Sequence, residues 1–130
     1  MEMLKLIIIQ PQKIVLETEF DDIIIPGKDG DFGVFYGHTP FISVIRPGVM
    51  EIYNDKEVTK YALHDGYVTV ENNVVTILCE LIERAEEVDK TRAEAAKERA
   101  EKRIKSNQSD IDFRRAENAL KKAVARITIS

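Results

Sequence analysis

The sequence changes composition sharply near residue 84, and this break limits the folds that the chain can adopt. All six glycines and all four prolines lie before the break, as do eight of the nine aromatic residues. Glycine and proline mark turns and interrupt helices, so their absence from residues 85–130 favours uninterrupted helix there. We therefore predict two domains, a turn-rich domain over residues 1–84 and a helical domain over residues 85–130.

Charge divides at the same place. Residues 1–84 carry 7 Lys and Arg against 14 Asp and Glu, whereas residues 85–130 carry 12 against 9. The net charge of −4 argues against nucleic acid as a partner. Cys79 is the only cysteine, so no disulfide framework is expected, and we predict a small buried residue within a strand. The apolar run near the N-terminus is too short for a signal peptide or a membrane span, which favours a soluble, cytoplasmic chain.

The front domain consists of short apolar or alternating runs separated by turn residues. Eight such runs lie at residues 4–9, 14–19, 20–25, 41–45, 49–53, 58–63, 67–71 and 74–78. Pro26-Gly27 and Asp65-Gly66 are examples of the turn signals between them, and residues 28–33 also have the composition of a turn. Short strands at this spacing predict an antiparallel β-sandwich of about ten strands.

The rear domain is predicted to be a pair of helices. Asp89 is a candidate N-cap for a first helix over residues 90–105, and residues 106–108 form a short connector. Ser109 is a candidate N-cap for a second helix, with Asp112 three residues later completing a capping-box pattern. A connector this short makes the two helices antiparallel, so we predict a C-terminal antiparallel two-helix hairpin.

Each predicted helix carries a narrow apolar face made mainly of alanine. The face comprises Ala93, Ala96, Ala100 and Ile104 in the first helix and Phe113, Ala116, Leu120, Ala123 and Ile127 in the second. Alanine faces allow close approach but bury little apolar area. We expect the hairpin to be marginally stable, so that a ligand or a partner could shift it between two states.

The chain lacks the residue patterns of a catalytic or metal site. Its two histidines, His38 and His64, lie in separate segments without a neighbouring Cys or His at ligand spacing. We expect His38 to be a loop residue hydrogen-bonded to the backbone, and His64 to be a surface residue at the Asp65-Gly66 turn. Neither catalysis nor metal binding is predicted.

The basic residues of the rear domain indicate a ligand site more strongly than the histidines indicate a catalytic or metal site. They lie on one face of each helix: Arg92, Arg99 and Arg103 on the first, and Lys122 and Arg126 on the second. Antiparallel pairing would bring four of these cations together beside the helix N-terminus at Asp89, without interleaved acids. The four are Arg92, Arg99, Lys122 and Arg126. Such a cluster suits a triphosphate, because Arg binds phosphate in a bidentate manner. The alternative is a solvated basic face paired with neighbouring glutamates.

Ordered motifs along the chain resemble the epsilon subunit of bacterial F-type ATP synthases. They are Gly30-Asp31-Phe32-Gly33-Val34, Gly37-His38-Thr39-Pro40, Arg46-Pro47-Gly48, Asp65-Gly66-Tyr67-Val68-Thr69-Val70, Val74 with Thr76-Ile77-Leu78, Glu83-Arg84-Ala85, Val88-Asp89-Lys90-Thr91-Arg92-Ala93, and Asp110-Ile111-Asp112-Phe113 to Ala123. The family combines a β-sandwich with a helical hairpin, which agrees with the fold predicted from composition and periodicity.

The resemblance implies a non-catalytic rotor subunit in the central stalk of the ATP synthase. The sandwich would bind the gamma subunit and the c-ring, with Asp31 and His38 at these contacts. The hairpin would be compact in one state and extended into the alpha/beta catalytic head in another, where it inhibits ATP hydrolysis. The protein would lie on the cytoplasmic face of the bacterial cell membrane, attached only through the complex, and would need no cofactor.

The resemblance also implies ATP as a regulatory ligand of the hairpin. Val88, Asp89, Arg92 and Ala93 match the family's Ile/Leu-Asp-x-x-Arg-Ala motif, with Val88 replacing the usual Ile or Leu. The basic residues expected to complete the site are Arg99, Lys122 and Arg126. Lys122 stands where the strongest nucleotide-binding members carry Arg, and this loses a bidentate phosphate contact. The alternative function is a free-standing ligand-binding β domain with a helical dimerisation tail.

Overall fold

A computed structural model describes residues 3–106 and 109–130, and the side chain of Ile111 lies outside this description. Eight strands precede two helices, which confirms the predicted order of a β-sandwich and a helical hairpin. The elements are β1 (Leu4–Gln10), β2 (Lys13–Phe20), β3 (Asp22–Gly27), β4 (Gly30–Phe35), β5 (Phe41–Ile45), β6 (Gly48–Asn54), β7 (Glu57–Glu71), β8 (Val74–Arg84), a single 3₁₀ turn (Ala85–Glu87), α1 (Lys90–Lys105) and α2 (Asp110–Ile129).

The strands are hydrogen-bonded in the order β2-β1-β8-β7-β5-β3-β4, and β6 pairs with both β3 and β7. All pairings are antiparallel except that of β1 with β8, which is parallel. The first and last strands of the domain are therefore neighbours. The predicted sandwich was antiparallel and did not include this parallel pair, because hydrophobic alternation carries no information on strand direction.

The inward side chains of the strands form one hydrophobic core. The buried members are Leu4, Leu6, Ile8, Phe20, Ile23, Ile25, Val34, Ile45, Met50, Ile52, Tyr61, Leu63, Val68, Val70, Val75, Ile77 and Cys79. They alternate with outward residues along β1 and along the first part of β8, as expected for strands with one buried face. The prediction that Cys79 is a buried strand residue is confirmed.

Asp65-Gly66 was expected to be a turn between two strands, but both residues lie inside the single long strand β7. Asp65 adopts a left-handed conformation, with φ of 39°, and is skipped in the pairing of β7 with β8. A Cβ added to Gly66 would lie 2.1 Å from the carbonyl oxygen of Leu78. The two residues therefore form an irregularity in β7 at which neighbouring backbones approach closely. This close approach, rather than a turn, explains why Asp and Gly occur here.

The segment over residues 28–33 also differs from its prediction. The turn is confined to residues 28 and 29, and β4 begins at Gly30 and pairs with β3 along its whole length. Two glycines lower the intrinsic strand preference of β4, but pairing with β3 and the burial of Val34 outweigh it. This extra strand offsets the merging of two predicted runs into β7, so the described residues contain eight strands rather than about ten.

The helices begin at the predicted caps. The side chain of Asp89 accepts a hydrogen bond of 3.0 Å from the backbone N–H of Arg92, and Ser109 accepts one of 3.3 Å from that of Asp112. Asp112 returns a contact through its carboxylate, which accepts from the Ser109 hydroxyl at 3.0 Å. Both interactions satisfy backbone donors that the helices leave free. The predicted connector residues Asn107 and Gln108 lie outside the described residues.

The hairpin closes on alanine and lies against the sandwich through a small apolar contact. Ala93, Ala100, Ala116 and Ala123 are buried between the two helices. At the end of α2, Ala125 and Ile129 pack against Ala62 of β7, with Val49 and Val88 at the margin. Because these side chains are mostly small, the apolar area that fixes the hairpin to the sandwich is modest.

Candidate functional site

A cleft of about 400 Å³ lies where the start of α1 meets the end of α2 and the end of β8. The residues that line it are Glu83, Glu87, Asp89, Arg92, Ala93, Ala96, Arg99 and Arg126. The structure thus brings together five of the residues expected at the nucleotide site. Two of the expected residues, Val88 and Lys122, do not line the cleft.

Three arginines line the cleft, but three acids lie among them. Arg92 and Arg99 are two helical turns apart on α1, and Arg126 approaches from α2. Glu83, Glu87 and Asp89 line the same cleft. The prediction of cations without interleaved acids was wrong, because β8 and the 3₁₀ turn supply glutamates that the helix pattern does not reveal.

Glu83 is the acid most closely tied to a cation. Its Oε1 accepts hydrogen bonds from Nε of Arg126 at 2.7 Å and from Nε2 of His64 at 2.8 Å. Burial acts to raise the pKa of Glu83, but the hydrogen bonds from Arg126 and His64 lower it on balance. The carboxylate is therefore ionised at neutral pH and joins the sandwich to α2.

Lys122 is turned toward the sandwich. Its Nζ lies 3.2 Å from Oδ2 of Asp65 and 3.9 Å from Oε2 of Glu80. The amide of Asn118, one turn earlier on α2, donates to the same Oδ2 of Asp65 at 3.2 Å. The irregularity in β7 thus presents a carboxylate to α2, and this carboxylate holds Lys122 away from the cleft.

His64 was expected at the surface but is 1% exposed. Nε2 donates to Glu83, whereas Nδ1 has no hydrogen-bond partner among the described residues. Burial lowers the pKa of His64, and Arg126 and Lys122 lower it further, against the opposing effect of Glu83. The sequence signal that could have revealed this position is the apolar run that leads directly into His64, because it continues the strand through the supposed turn.

Asp31 and His38, the expected partner contacts, lie near opposite ends of β4, since Asp31 is the second residue of this strand and His38 lies in the loop after its last residue. Asp31 accepts a hydrogen bond of 2.5 Å from Nη2 of Arg46, whose Nη1 donates to the carbonyl of Gly27 at 2.5 Å. His38 contacts the backbone as predicted, because its Nδ1 lies 2.6 Å from the carbonyl oxygen of Thr39.

The loop that carries His38 is held by a long-range contact and by aromatic packing. The backbone N–H of Gly37 donates to Oδ1 of Asn73, in the β7–β8 turn, at 2.7 Å. The His38 ring packs edge-on against Phe35 and Phe41, with centroid separations of 6.4 and 6.0 Å. This loop is therefore positioned by the sandwich, and it presents partly exposed aromatic rings.

An apolar row crosses the outer face of the sandwich. Strand pairing places five residues side by side across β5, β7, β8, β1 and β2: Val44, Tyr67, Leu78, Ile9 and Ile14. Tyr67, Leu78 and Ile14 are 58%, 48% and 60% exposed. A contiguous apolar row on a sheet face is typical of a protein contact surface. This row could not be predicted from the sequence, because it depends on the order of the strands in the sheet.

No group of three or more His, Cys, Asp and Glu side chains that could hold a metal occurs in the described part of the chain. Burial raises the pKa of the Cys79 thiol to about 11, so this cysteine is unreactive at neutral pH. Neither helix is long and apolar enough to cross a membrane, within residues 3–106 and 109–130.

Family comparisons divide the chain into two matched parts. Residues 3–85 match the beta-sandwich domain of the ATP synthase delta/epsilon chain, and residues 86–130 match its long alpha-helix domain. Together the two matches cover nearly the whole chain.

Curated relatives match over most of their length. An ATP synthase epsilon chain of Desulfitobacterium hafniense (strain Y51) is 45% identical over 92% of this chain and 90% of its own. The epsilon chain of Desulforamulus reducens is 38% identical over 95% of this chain and 93% of its own. That of Syntrophobacter fumaroxidans is 39% identical over 99% and 96%, respectively.

Two solved structures share the fold. A chain in the Euglena gracilis mitochondrial ATP synthase, comprising OSCP, F1 and the c-ring in rotational state 1, superposes with a TM-score of 0.83 at 22% identity. The superposed region covers 95% of this chain and 78% of the Euglena gracilis chain. A chain in the central stalk and c-ring of the Tetrahymena thermophila mitochondrial ATP synthase gives a TM-score of 0.59 at 20% identity, with coverage of 96% and 91%.

Proposed function

The chain belongs to the family of ATP synthase delta/epsilon chains, as a non-catalytic epsilon subunit, and from this premise we propose that it is a regulatory rotor subunit of the central stalk. The sandwich docks on the gamma subunit and the c-ring, and the hairpin moves. The protein lies at the cytoplasmic face of the bacterial cell membrane, held there by the complex.

The observation that carries the proposal is the apolar row across the sandwich. Tyr67 and Leu78 are direct partners in the β7–β8 pairing and project from the same face, where both are about half exposed. Covering such side chains contributes about 25 cal/mol per Å² of apolar area removed from water. A row that spans five strands suits a broad, rigid partner, and we assign it to the gamma subunit.

The surface formed by β4 and the loop after it, which carries Asp31 and His38, is assigned to the c-ring and the adjoining part of the stalk. Arg46 neutralises much of the charge of Asp31 and ties it to the β3–β4 turn through Gly27. The aromatic rings of Phe35 and Phe41 around His38 provide apolar contacts near the other end of β4. A mixed surface of this kind fits short polar loops flanked by apolar side chains.

The hairpin is proposed to leave the sandwich and to reach the alpha/beta catalytic head, where it inhibits ATP hydrolysis. Its attachment consists of a few small apolar side chains and ion pairs that are partly exposed. Partly exposed pairs each contribute about 1 kcal/mol or less. The 3₁₀ turn, which begins just after Arg84, is the proposed hinge and the boundary between the domains of residues 1–84 and 85–130.

ATP is proposed to bind in the arginine-lined cleft and to favour the compact state. Arg92, Arg99 and Arg126 converge on it from both helices, so a triphosphate there would hold the helices together. Lys122 would join the phosphate ligands only after leaving Asp65. Val88 supports the site from the apolar contact between the hairpin and the sandwich.

The alternative, a free-standing ligand-binding β domain that dimerises through its helices, has less support. The alanine faces that would form a dimer are already buried within one chain. A monomer by light scattering would agree with the rotor proposal.

The docking proposal is tested by recovery of the chain with the purified ATP synthase. We expect Leu78→Asp to lower recovery at least tenfold, because a charge in the apolar row would be buried at the interface. Lys56→Asp, in the exposed β6–β7 turn, is the matched control and should be recovered like the wild type. Equal recovery of the two variants would contradict docking through this row.

A further inference from the structure

His64 connects the sandwich to the hairpin through one shared oxygen atom. Oε1 of Glu83 accepts hydrogen bonds from both Nε2 of His64, at 2.8 Å, and Nε of Arg126, at 2.7 Å. Arg126 belongs to α2, whereas His64 and Glu83 belong to adjacent strands. The histidine therefore orients the carboxylate that α2 binds.

The hydrogen-bond pattern fixes the protonation state of this histidine when the hairpin is docked. Because the carboxylate can only accept, Nε2 carries the hydrogen, and the unpartnered Nδ1 is left without one. Protonation would create a second N–H at a buried atom that has no acceptor among the described residues. A buried donor left unpaired is costly, so the docked hairpin selects the neutral ring.

Charged residues on the elements around His64 both raise and lower its pKa. On α2, Arg126 and Lys122 oppose a positive charge on the ring, while Glu83 of β8 favours it. Asp65, next to His64 on β7, is engaged by Lys122 and by Asn118. With burial included, the balance lowers the pKa of His64 below its ordinary value of 6.5.

We propose that His64 is a proton-sensitive positioning residue, whose protonation releases the hairpin from the sandwich because it creates an unpartnered buried N–H and a positive charge beside Arg126 of α2. This inference rests on the proposed function, since it requires a hairpin that leaves the sandwich. Under this proposal, pH controls the population of the compact state in addition to nucleotide.

The direction of the effect follows from the two states. When α2 leaves, Arg126 and Lys122 leave with it, and the pKa of His64 rises toward its ordinary value. The open state therefore binds more protons, so acidification favours opening. Between the two pKa values, the ratio of open to docked chains should rise by up to about tenfold for each unit of pH decrease, and it should be flat well above pH 6.5.

The experiment measures the open fraction of the full-length chain from pH 8 to pH 5. Spin labels on cysteines introduced at Lys60 and Lys121, both exposed, report the distance between β7 and α2. Cys79 is buried and its thiol pKa is raised to about 11, so it stays unlabelled. We expect the open fraction of the wild type to increase as the pH falls through 6.5.

Two substitutions separate positioning by His64 from general acid destabilisation. His64→Gln keeps an N–H that can donate to Glu83 but cannot be protonated, so it should keep the docked state and lose the pH response. His38→Gln removes the only other histidine and should keep the wild-type response. The same pH response in His64→Gln as in the wild type would overturn the proposal, as would a wild-type distance that is independent of pH.

The outcome for the nucleotide proposal is read separately, by adding ATP at pH 7.5. If ATP raises the docked fraction but pH has no effect, the nucleotide proposal stands and the His64 inference is wrong. If pH acts through His64 but ATP has no effect, the His64 inference stands without the nucleotide site. A hairpin that stays docked under all conditions would contradict both.

Discussion

At the scale of single residues, two neighbours in β7 determine how the two domains meet. Gly66 lets the backbone of β8 approach, and Asp65, in a left-handed conformation, presents its carboxylate to Lys122 and Asn118. His64, just before them, is buried against Glu83. Local backbone geometry and the attachment of the hairpin are therefore set by the same short segment.

Gly66→Ala tests this close approach. The added Cβ would lie 2.1 Å from the carbonyl oxygen of Leu78, and backbone must move to relieve the overlap. We expect the free energy of unfolding to fall by about 3 kcal/mol, measured by urea denaturation of the full chain. The control is Gly33→Ala, whose added Cβ meets nothing closer than 3.8 Å. A loss for Gly66→Ala no larger than that for the control would contradict this geometry.

Sequence reasoning at this scale succeeded where the physical cause was local. The caps at Asp89 and Ser109 were found because capping depends only on residues within one helical turn. It failed at His64 and at Asp65-Gly66, because their environment is created by β8 and α2, which are distant in the sequence. A turn-like dipeptide is ambiguous when the reason for its glycine is another strand.

At the scale of elements, the hairpin combines a weak apolar attachment with an arginine-lined cleft. Alanine provides the contact between α1 and α2, so the helices are close but bury little area. The arginines of the cleft come from both helices, so an anion bound between them would contact both helices at once. An anion in the cleft would therefore stabilise the compact hairpin more than the open one.

Arg92→Ala tests the cleft as a nucleotide site. Losing a charge-assisted hydrogen bond to phosphate costs about 1.5–3 kcal/mol, so we expect ATP affinity to fall by about ten- to a hundredfold in calorimetry of the full chain. Arg103→Ala removes an exposed arginine of the same helix that does not line the cleft. It should bind ATP like the wild type. Equal losses of ATP affinity in both variants would contradict a specific site in the cleft and would indicate a general basic surface.

The helices were predicted from sequence more fully than the cleft between them. Periodicity and caps determine where α1 begins and which faces are apolar, and both follow from residues that are close in sequence. The position of Lys122 could not be foreseen, since it depends on an ion pair with a residue of β7. The acids of the cleft were missed for the same reason, because Glu83 and Glu87 precede the helices.

At the scale of the whole molecule, the two domains have different kinds of surface. The sandwich has a rigid core and an apolar outer row, whereas the hairpin is attached through small side chains and ion pairs. The change in composition near residue 84 matches the change from strands to helices, because glycine and proline are needed for the turns of a sandwich and are unfavourable in helices. The parallel pairing of β1 with β8, and hence the apolar row, required the structure.

The measurement that tests the central claim most directly is ATP hydrolysis by the ATP synthase assembled with either the full chain or residues 1–88. We expect the shortened chain to be recovered with the complex as well as the full chain is, because the apolar row and the core are intact. We also expect faster hydrolysis with the shortened chain, because the inhibitory hairpin is gone. Unchanged or slower hydrolysis, with equal recovery of both chains, would contradict a regulatory hairpin on a docked sandwich.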